Sequence, residues 1–337
     1  MRTCIRSAIY SVIGVAILVT QGASLAAQAP ATRAGASYTP QRTPWGDPDL
    51  QGTYTNADEN GTPMEQPADL AGRRLEEFDD KEMAALRIER QGRAQDRAAS
   101  IGGTREEDTG AGPSHWYEHL TAANAQPWLV FDPPSGKIPP ATAVAQQRAA
   151  ARRTTRTGRG EADSWEDRSL YDRCISLGVP GSMTPMIYGN AYDITQGPGF
   201  VAIRYEMIHE TRVIPIGDQP RVASSIRPYM GEARGRWEGS TLVVETQNIN
   251  PLTAYRGASE KLTITERFTP VDANTLRWEI RFDDPDTWEQ SWAYGMPLKR
   301  DSEHAPYEYA CHEGNRGLAN ILSAARSEEA EAAAAPK

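Results

Sequence analysis

The clearest hydrophobic pattern in the chain lies between Tyr188 and Glu245, where two alternating stretches are joined by turns marked by glycine and proline. Along Val201–Thr211, one parity is mostly apolar and the other contains the charged residues. Successive side chains of a strand point to opposite faces, so the apolar set shares one face of a sheet. The pattern predicts an antiparallel meander. Tyr205 and His209 have the apolar parity, and we expect both to point to the interior.

Further alternating segments follow. Residues 234–237 and 241–247 flank a Glu-Gly-Ser turn, which is a strong hairpin signal. Residues 261–268 and 275–282 predict a second hairpin, and 287–294 predict another strand. Many strands joined by short turns predict a mainly β fold, an up-and-down meander that curls into a barrel or half-barrel.

Composition divides the rest of the chain. Residues 70–99 and 141–157 have helical composition and predict peripheral helices on a single β-rich domain spanning 45–326. Residues 27–44 resemble a flexible leader, and the Glu/Ala-rich residues 327–337 are expected to form a disordered tail.

The first 26 residues have the features of a secretion signal. Arg2 and Arg6 precede a short apolar stretch, Ala8–Val19, and small residues follow at positions suited to cleavage. The stretch is too short to span a bilayer comfortably, so a retained membrane anchor is the less favoured reading. We expect a periplasmic or secreted protein with no membrane insertion after cleavage.

Two cysteines, Cys174 and Cys311, lie outside the expected signal. In an oxidising compartment such a pair usually forms a disulfide. The alternatives are two buried thiols or one reactive thiol.

Charge and motifs exclude several classes of partner. The formal net charge of −9 argues against nucleic acids and anionic membranes. The chain has no P-loop and no GxGxxG motif, so we expect no nucleotide cofactor. His115 and His119 have the spacing of an H-x-x-E-H zinc motif, but no third ligand is specified. We therefore expect no metal, and a small-molecule ligand or substrate remains as the partner.

Four segments carry a resemblance to a known family. WGDPDLQG (45–52), WLVFDPPSGKIPP (128–140), RGRWEGSTLVVET (234–246) and YACHEGN (309–315) resemble a large family of exported bacterial proteins of unassigned function. The resemblance covers roughly residues 44–326 and implies no catalytic residues. At the level of fold alone, the meander also resembles the lipocalin-like (calycin) architecture.

The candidate site combines proton-transfer groups with groups that could hold a substrate. A histidine beside a carboxylate commonly transfers protons near neutral pH. The candidate catalytic residues are His209, Tyr205, Glu206, His312 and Glu313, and the candidate substrate-binding residues are Arg212, Arg227, His115, Trp116, Tyr117 and Glu118. A disulfide would also bring Asp172 and Arg173 close to His312 and Glu313. The alternative is that these groups only satisfy one another, as in structural ion-pair networks.

Three functions are compatible with these features. The first is an exported acid–base enzyme, a lyase, isomerase or hydrolase, acting on a small organic or sugar-like substrate in a β-barrel cavity. The second is a periplasmic carrier of an apolar ligand. The third is a structural envelope protein without a pocket. An enzyme requires two converging titratable groups, a carrier requires an apolar cavity, and a structural protein requires a filled core.

Overall fold

Antiparallel strands form a nearly closed barrel, as the alternating pattern predicts. The computed structural model describes residues 38–101, 124–155, 158–186, 188–305 and 307–334, which belong to one compact unit. Within these residues the ten strands are β1 Gly52–Thr55, β2 Val130–Asp132, β3 Ala191–Gly197, β4 Phe200–Tyr205, β5 Thr211–Pro215, β6 Glu232–Glu238, β7 Thr241–Gln247, β8 Thr263–Asp272, β9 Thr275–Asp283 and β10 Trp292–Arg300.

The strands follow the order β5-β4-β3-β1-β10-β9-β8-β7-β6, and β2 pairs with β10 outside this path. The two outer strands of the order approach each other through a parallel bridge between Ile216 and Gly235. Gly217 N donates to Gly235 O at 3.0 Å. A Cβ at Gly235 would lie 2.5 Å from Ile216 Cδ1 and 3.0 Å from Ile214 Cγ2, so a larger residue here would displace these side chains. The barrel is therefore almost closed at this seam.

Both predicted hairpins are confirmed. β6 and β7 pair from Glu232↔Gln247 to Glu238↔Thr241, and Gly239 in their turn has φ +63°. Such a left-handed conformation suits glycine, which has no Cβ to clash with the backbone. β8 and β9 form the second hairpin, with an irregular register near Pro270.

The strand predicted over 287–294 begins later, at Trp292. Asp284 explains the delay, because its carboxylate accepts hydrogen bonds from the Thr287 hydroxyl at 2.6 Å and from Ser259 N at 2.6 Å. Thr287 N also donates to Asp284 O at 2.9 Å. These bonds hold residues 284–287 in a turn, which competes with the extended conformation.

The helices are α1 Asp80–Ile101, α2 Ala143–Thr155, α3 Gly178–Gly181 and α4 Arg316–Ala334. α1 starts ten residues after the predicted start of its segment, because Gly72 has φ +83° and because the Asp79 side chain accepts from Glu82 N at 2.8 Å. This side chain supplies the partner that the first turn of a helix lacks.

Both ends of the described chain are more regular than predicted. Residues 327–334, expected to be disordered, continue α4. Within the expected flexible leader, Gln41 O accepts from Asp49 N at 2.8 Å, and Thr43 is buried. In the part of the chain that the structure describes, helices with the length and apolar character needed to cross a membrane do not occur.

Large side chains fill the core. The fully buried aromatic residues of the core are Tyr192, Tyr205, Phe268, Trp278, Phe282, Trp292 and Tyr294. Phe282 stacks on Trp292 with ring centroids 4.4 Å apart, and Trp278 meets Tyr294 edge-on at 5.7 Å. Such side chains contribute roughly 1.5–3 kcal/mol each when buried, so they dominate the stability of the barrel.

The predicted disulfide between Cys174 and Cys311 is confirmed, with Cα atoms 5.5 Å apart. It joins residues 137 positions apart in the sequence. In the chain-entropy model a loop of this length corresponds to about 5 kcal/mol of stabilisation. The disulfide therefore ties the segment after β10 to the segment before β3.

Candidate functional site

The connection between β4 and β5, residues 206–210, departs most from the predicted pattern. The strand expected over 201–211 ends at Tyr205. Ile208 and His209 have φ values of +62° and +48°. A β-branched residue rarely adopts this conformation, and such strain is typical of functional sites. The prediction that His209 points to the interior is wrong. His209 lies in the turn and not in the strand, so the alternation no longer applies and its side chain is exposed.

Glu206 lies at the start of this connection with its side chain almost fully buried. Its Oε2 accepts from Ala191 N at 3.3 Å, and its Oε1 lies 3.1 Å from His304 Nε2. A carboxylate in this position favours the tautomer with the proton on Nε2. His304 Nδ1 then has a lone pair that can accept a proton.

Glu210 closes the same connection and lies in a partly buried environment. Burial raises the pKa of this carboxyl group, and a hydrogen bond from the Ser176 hydroxyl at 2.8 Å works in the opposite direction. A raised pKa keeps a carboxylic acid protonated over a wider pH range, so that it can donate a proton. The connection thus carries two carboxyl groups, that of Glu206, which contacts His304, and that of Glu210, whose pKa is raised by burial.

A group of tyrosines reaches the connection through Tyr309. His209 Nδ1 lies 2.8 Å from Tyr309 O, which is a hydrogen bond when this nitrogen carries the proton. The Tyr309 and Tyr188 hydroxyls are 3.1 Å apart. Burial, with Tyr188 nearby, raises the pKa of Tyr171 to about 12, and burial also raises the pKa of Tyr309. These phenols stay protonated at neutral pH and can act as hydrogen-bond donors.

Two candidate residues lie inside the barrel instead. Arg212 forms an ion pair with Glu266 at 2.5 Å, with side-chain exposures of 3% and 0%. Burial opposes the charge of Arg212, but Glu266 and Tyr205 outweigh this effect and raise its pKa. Burial raises the pKa of Tyr205 to about 12, while Arg212 works in the opposite direction. This pair belongs to a packed core, where Trp278 Nε1 also donates to Glu266 at 3.2 Å.

The other candidates do not join these groups. Arg227 pairs with Glu260 at 2.5 Å near the surface. His312 and Glu313 are exposed. The cluster expected around the disulfide does not form, because Asp172 pairs with Arg168 at 3.0 Å and Arg173 lies over the Trp165 ring. His115, Trp116, Tyr117 and Glu118 lie outside the described residues.

Sequence reasoning missed the partners that come from distant segments, namely His304, Tyr309, Tyr188 and Ser176. The available signal was the cysteine pair, because it places the residues next to Cys311 near Tyr171. Within the described residues, no group of three or more His, Cys, Asp or Glu side chains is arranged to hold a metal ion.

Comparison with known proteins identifies no relative. No protein-family model, no curated protein and no solved structure matches the chain.

Proposed function

We propose that the protein is an exported acid–base enzyme, a lyase, isomerase or hydrolase, acting on a small organic or sugar-like substrate at the 206–210 connection. The observation that carries this proposal is the 3.1 Å contact between His304 Nε2 and Glu206, four residues from the protonatable carboxyl group of Glu210. Two titratable groups held in different environments are what a base and an acid require.

Each group has a role in this proposal. His304 is the general base through Nδ1, and Glu206 is the positioning residue that fixes its tautomer. Glu210 is the general acid, because its raised pKa favours the protonated form. Tyr188 and Tyr309 supply hydroxyl donors for substrate oxygen atoms.

The same proposal includes export. The positively charged start and short apolar stretch of the first 26 residues support a signal peptide. The disulfide is compatible with the periplasm or the cell exterior. This proposal also includes membership of the exported bacterial family, which the sequence motifs support. It includes the lipocalin-like likeness as well, which the meander supports.

Substituting the base and its positioning residue tests the function. Wild-type protein and the His304→Gln and Glu206→Gln variants are assayed on a panel of aryl glycosides, esters, lactones and sugar epimerisation substrates. We expect turnover of at least one member and a loss of 10²–10⁴-fold for His304→Gln, the usual contribution of a general base. His312→Gln, an exposed histidine in the same segment, is the matched control and should keep full activity.

The packed core favours a second candidate, a structural envelope protein. Trp278, Tyr294 and Phe268 are completely buried in the core of the barrel, where a carrier would need an apolar cavity. If no panel member is turned over and none shifts the histidine resonances of the wild type, this candidate replaces the enzyme.

A further inference from the structure

The segment that links β10 to α4 supplies two of the five residues of the proposed site. We call residues 301–305 and 307–315 the strap. It leaves β10 with Asp301 N donating to Thr53 O at 3.0 Å, and it ends with Asn315 Nδ2 donating to Asp172 O at 2.7 Å. Between these points it carries His304 and Tyr309, which meet Glu206 and Tyr188.

Little hydrophobic burial holds the strap in place. All of its described residues are half-buried or exposed, and Tyr307 is 76% exposed. The fully described helix α4 that follows also has no buried residue. The noncovalent contacts are one ring contact, between Tyr188 and Tyr309 with centroids 6.0 Å apart, and partly exposed hydrogen bonds, each of which contributes little net stability.

The disulfide joins the strap covalently to the segment that precedes β3. Cys174 is buried, and Cys311 on the strap is half-buried. Tyr309, which contacts both His209 and Tyr188, is two residues from Cys311. The bond therefore restricts the residues that complete the site to positions near the 206–210 connection.

We propose that the disulfide controls the position of the strap and makes the site redox-sensitive, so that reduction releases His304 and Tyr309 from it. This inference rests on the proposed function, because it concerns the regulation of the same site. The reductant is a dithiol: it gives two electrons and two protons to the S–S bond, which breaks into two thiols, and it becomes a disulfide itself.

The strands of the barrel pair with one another without the strap. Its strands all end at or before Arg300, and the β8–β9 ladder runs from Thr263↔Asp283 to Asp272↔Thr275 without it. Release of the strap is therefore expected as a local opening, in which the β-sheet core stays folded.

Nuclear magnetic resonance of the full chain tests whether the strap is released while the β-sheet stays folded. Imidazole proton resonances and backbone amide exchange are recorded at pH 7 for the oxidised protein and after treatment with dithiothreitol. We expect the His304 and His209 resonances to move toward that of His312, the exposed histidine of the same strap. The β8 and β9 amides should keep their protection.

Cys311→Ser without reductant should reproduce this change, and dithiothreitol should then add nothing. Unchanged His304 and His209 resonances after complete reduction would overturn the inference. So would loss of β8 and β9 protection together with the histidine shifts, because that pattern is global unfolding. The histidine shifts do not depend on turnover. Full activity of His304→Gln would therefore contradict the proposed function, and the release of the strap would still be decided by the resonances.

Discussion

Replacing Arg212 by methionine tests the account of the barrel interior. The substitution keeps a long side chain but removes the cation that lies 2.5 Å from Glu266. Glu266 is 0% exposed, so its carboxylate would keep Trp278 Nε1 as a donor but lose its counter-charge. The hydrogen bond from Arg212 to the Thr246 hydroxyl, at 2.8 Å, is lost as well.

The magnitude follows from the burial of both partners. Breaking a buried ion pair from one side typically costs about 3–5 kcal/mol of unfolding free energy, because an uncompensated charge remains. Replacing both Arg212 and Glu266 by methionine removes that charge. The remaining cost is then mainly that of the unpaired Trp278 Nε1 and Thr246 hydroxyl groups, about 1–3 kcal/mol for each buried polar group. We therefore expect the double variant to be less destabilised than the sum of the two single variants.

Urea unfolding of the oxidised protein, followed by tryptophan fluorescence, measures these free energies. Arg236→Met is the matched control, because Arg236 pairs with Glu238 at 2.7 Å with side-chain exposures of 55% and 41%. Exposed pairs contribute about 0–1 kcal/mol, so this variant should be close to wild type. A cost below about 1 kcal/mol for Arg212→Met, or additivity of the two single substitutions, would mean that Arg212 and Glu266 are not a strongly coupled buried ion pair.

Two further predictions concern buried titratable groups. Burial raises the pKa of Glu59 in the folded protein. Protonation of this group therefore adds to the free energy of unfolding below the unfolded pKa of about 4.3, and this stabilisation is lost as pH rises through the folded pKa. Glu59→Gln should thus gain stability relative to wild type between acid and neutral pH in urea unfolding, and a constant difference would contradict this. For Tyr205, whose pKa is about 12, we expect the phenolate absorbance lost in Tyr205→Phe to appear only above pH 11, and a difference at pH 10 would contradict the burial argument.

Local alternation predicted most of the barrel. In β9 the apolar residues Leu276, Trp278 and Ile280 alternate with charged ones, and the structure buries the apolar set. The same rule failed at His209, because nothing in the alternation indicates that Ile208 adopts a left-handed conformation. It failed at Thr287 because a side-chain acceptor, not the apolar pattern, decides the local conformation.

The candidate site was predictable only in part. Glu206 was identified from its neighbours, but its partner His304 is 98 residues away in the sequence. Tyr188 and Tyr309 are separated by 121 residues. Contacts over such separations are fixed by the closure of the barrel and by the disulfide, and local periodicity carries no information about them. The cysteine pair was the one long-range restraint that the sequence offered.

The pH dependence of turnover tests the acid–base claim most directly, using the panel substrate that the wild type converts. Activity should fall as pH rises through the raised pKa of Glu210, because the general acid loses its proton. The Ser176 hydrogen bond lowers this pKa, so Ser176→Ala should move the fall to higher pH. Glu210→Gln should lower turnover by roughly 10²–10⁴-fold and abolish this fall, with exposed Glu303→Gln as the unchanged control. The same profile in wild type, Ser176→Ala and Glu210→Gln would contradict the account.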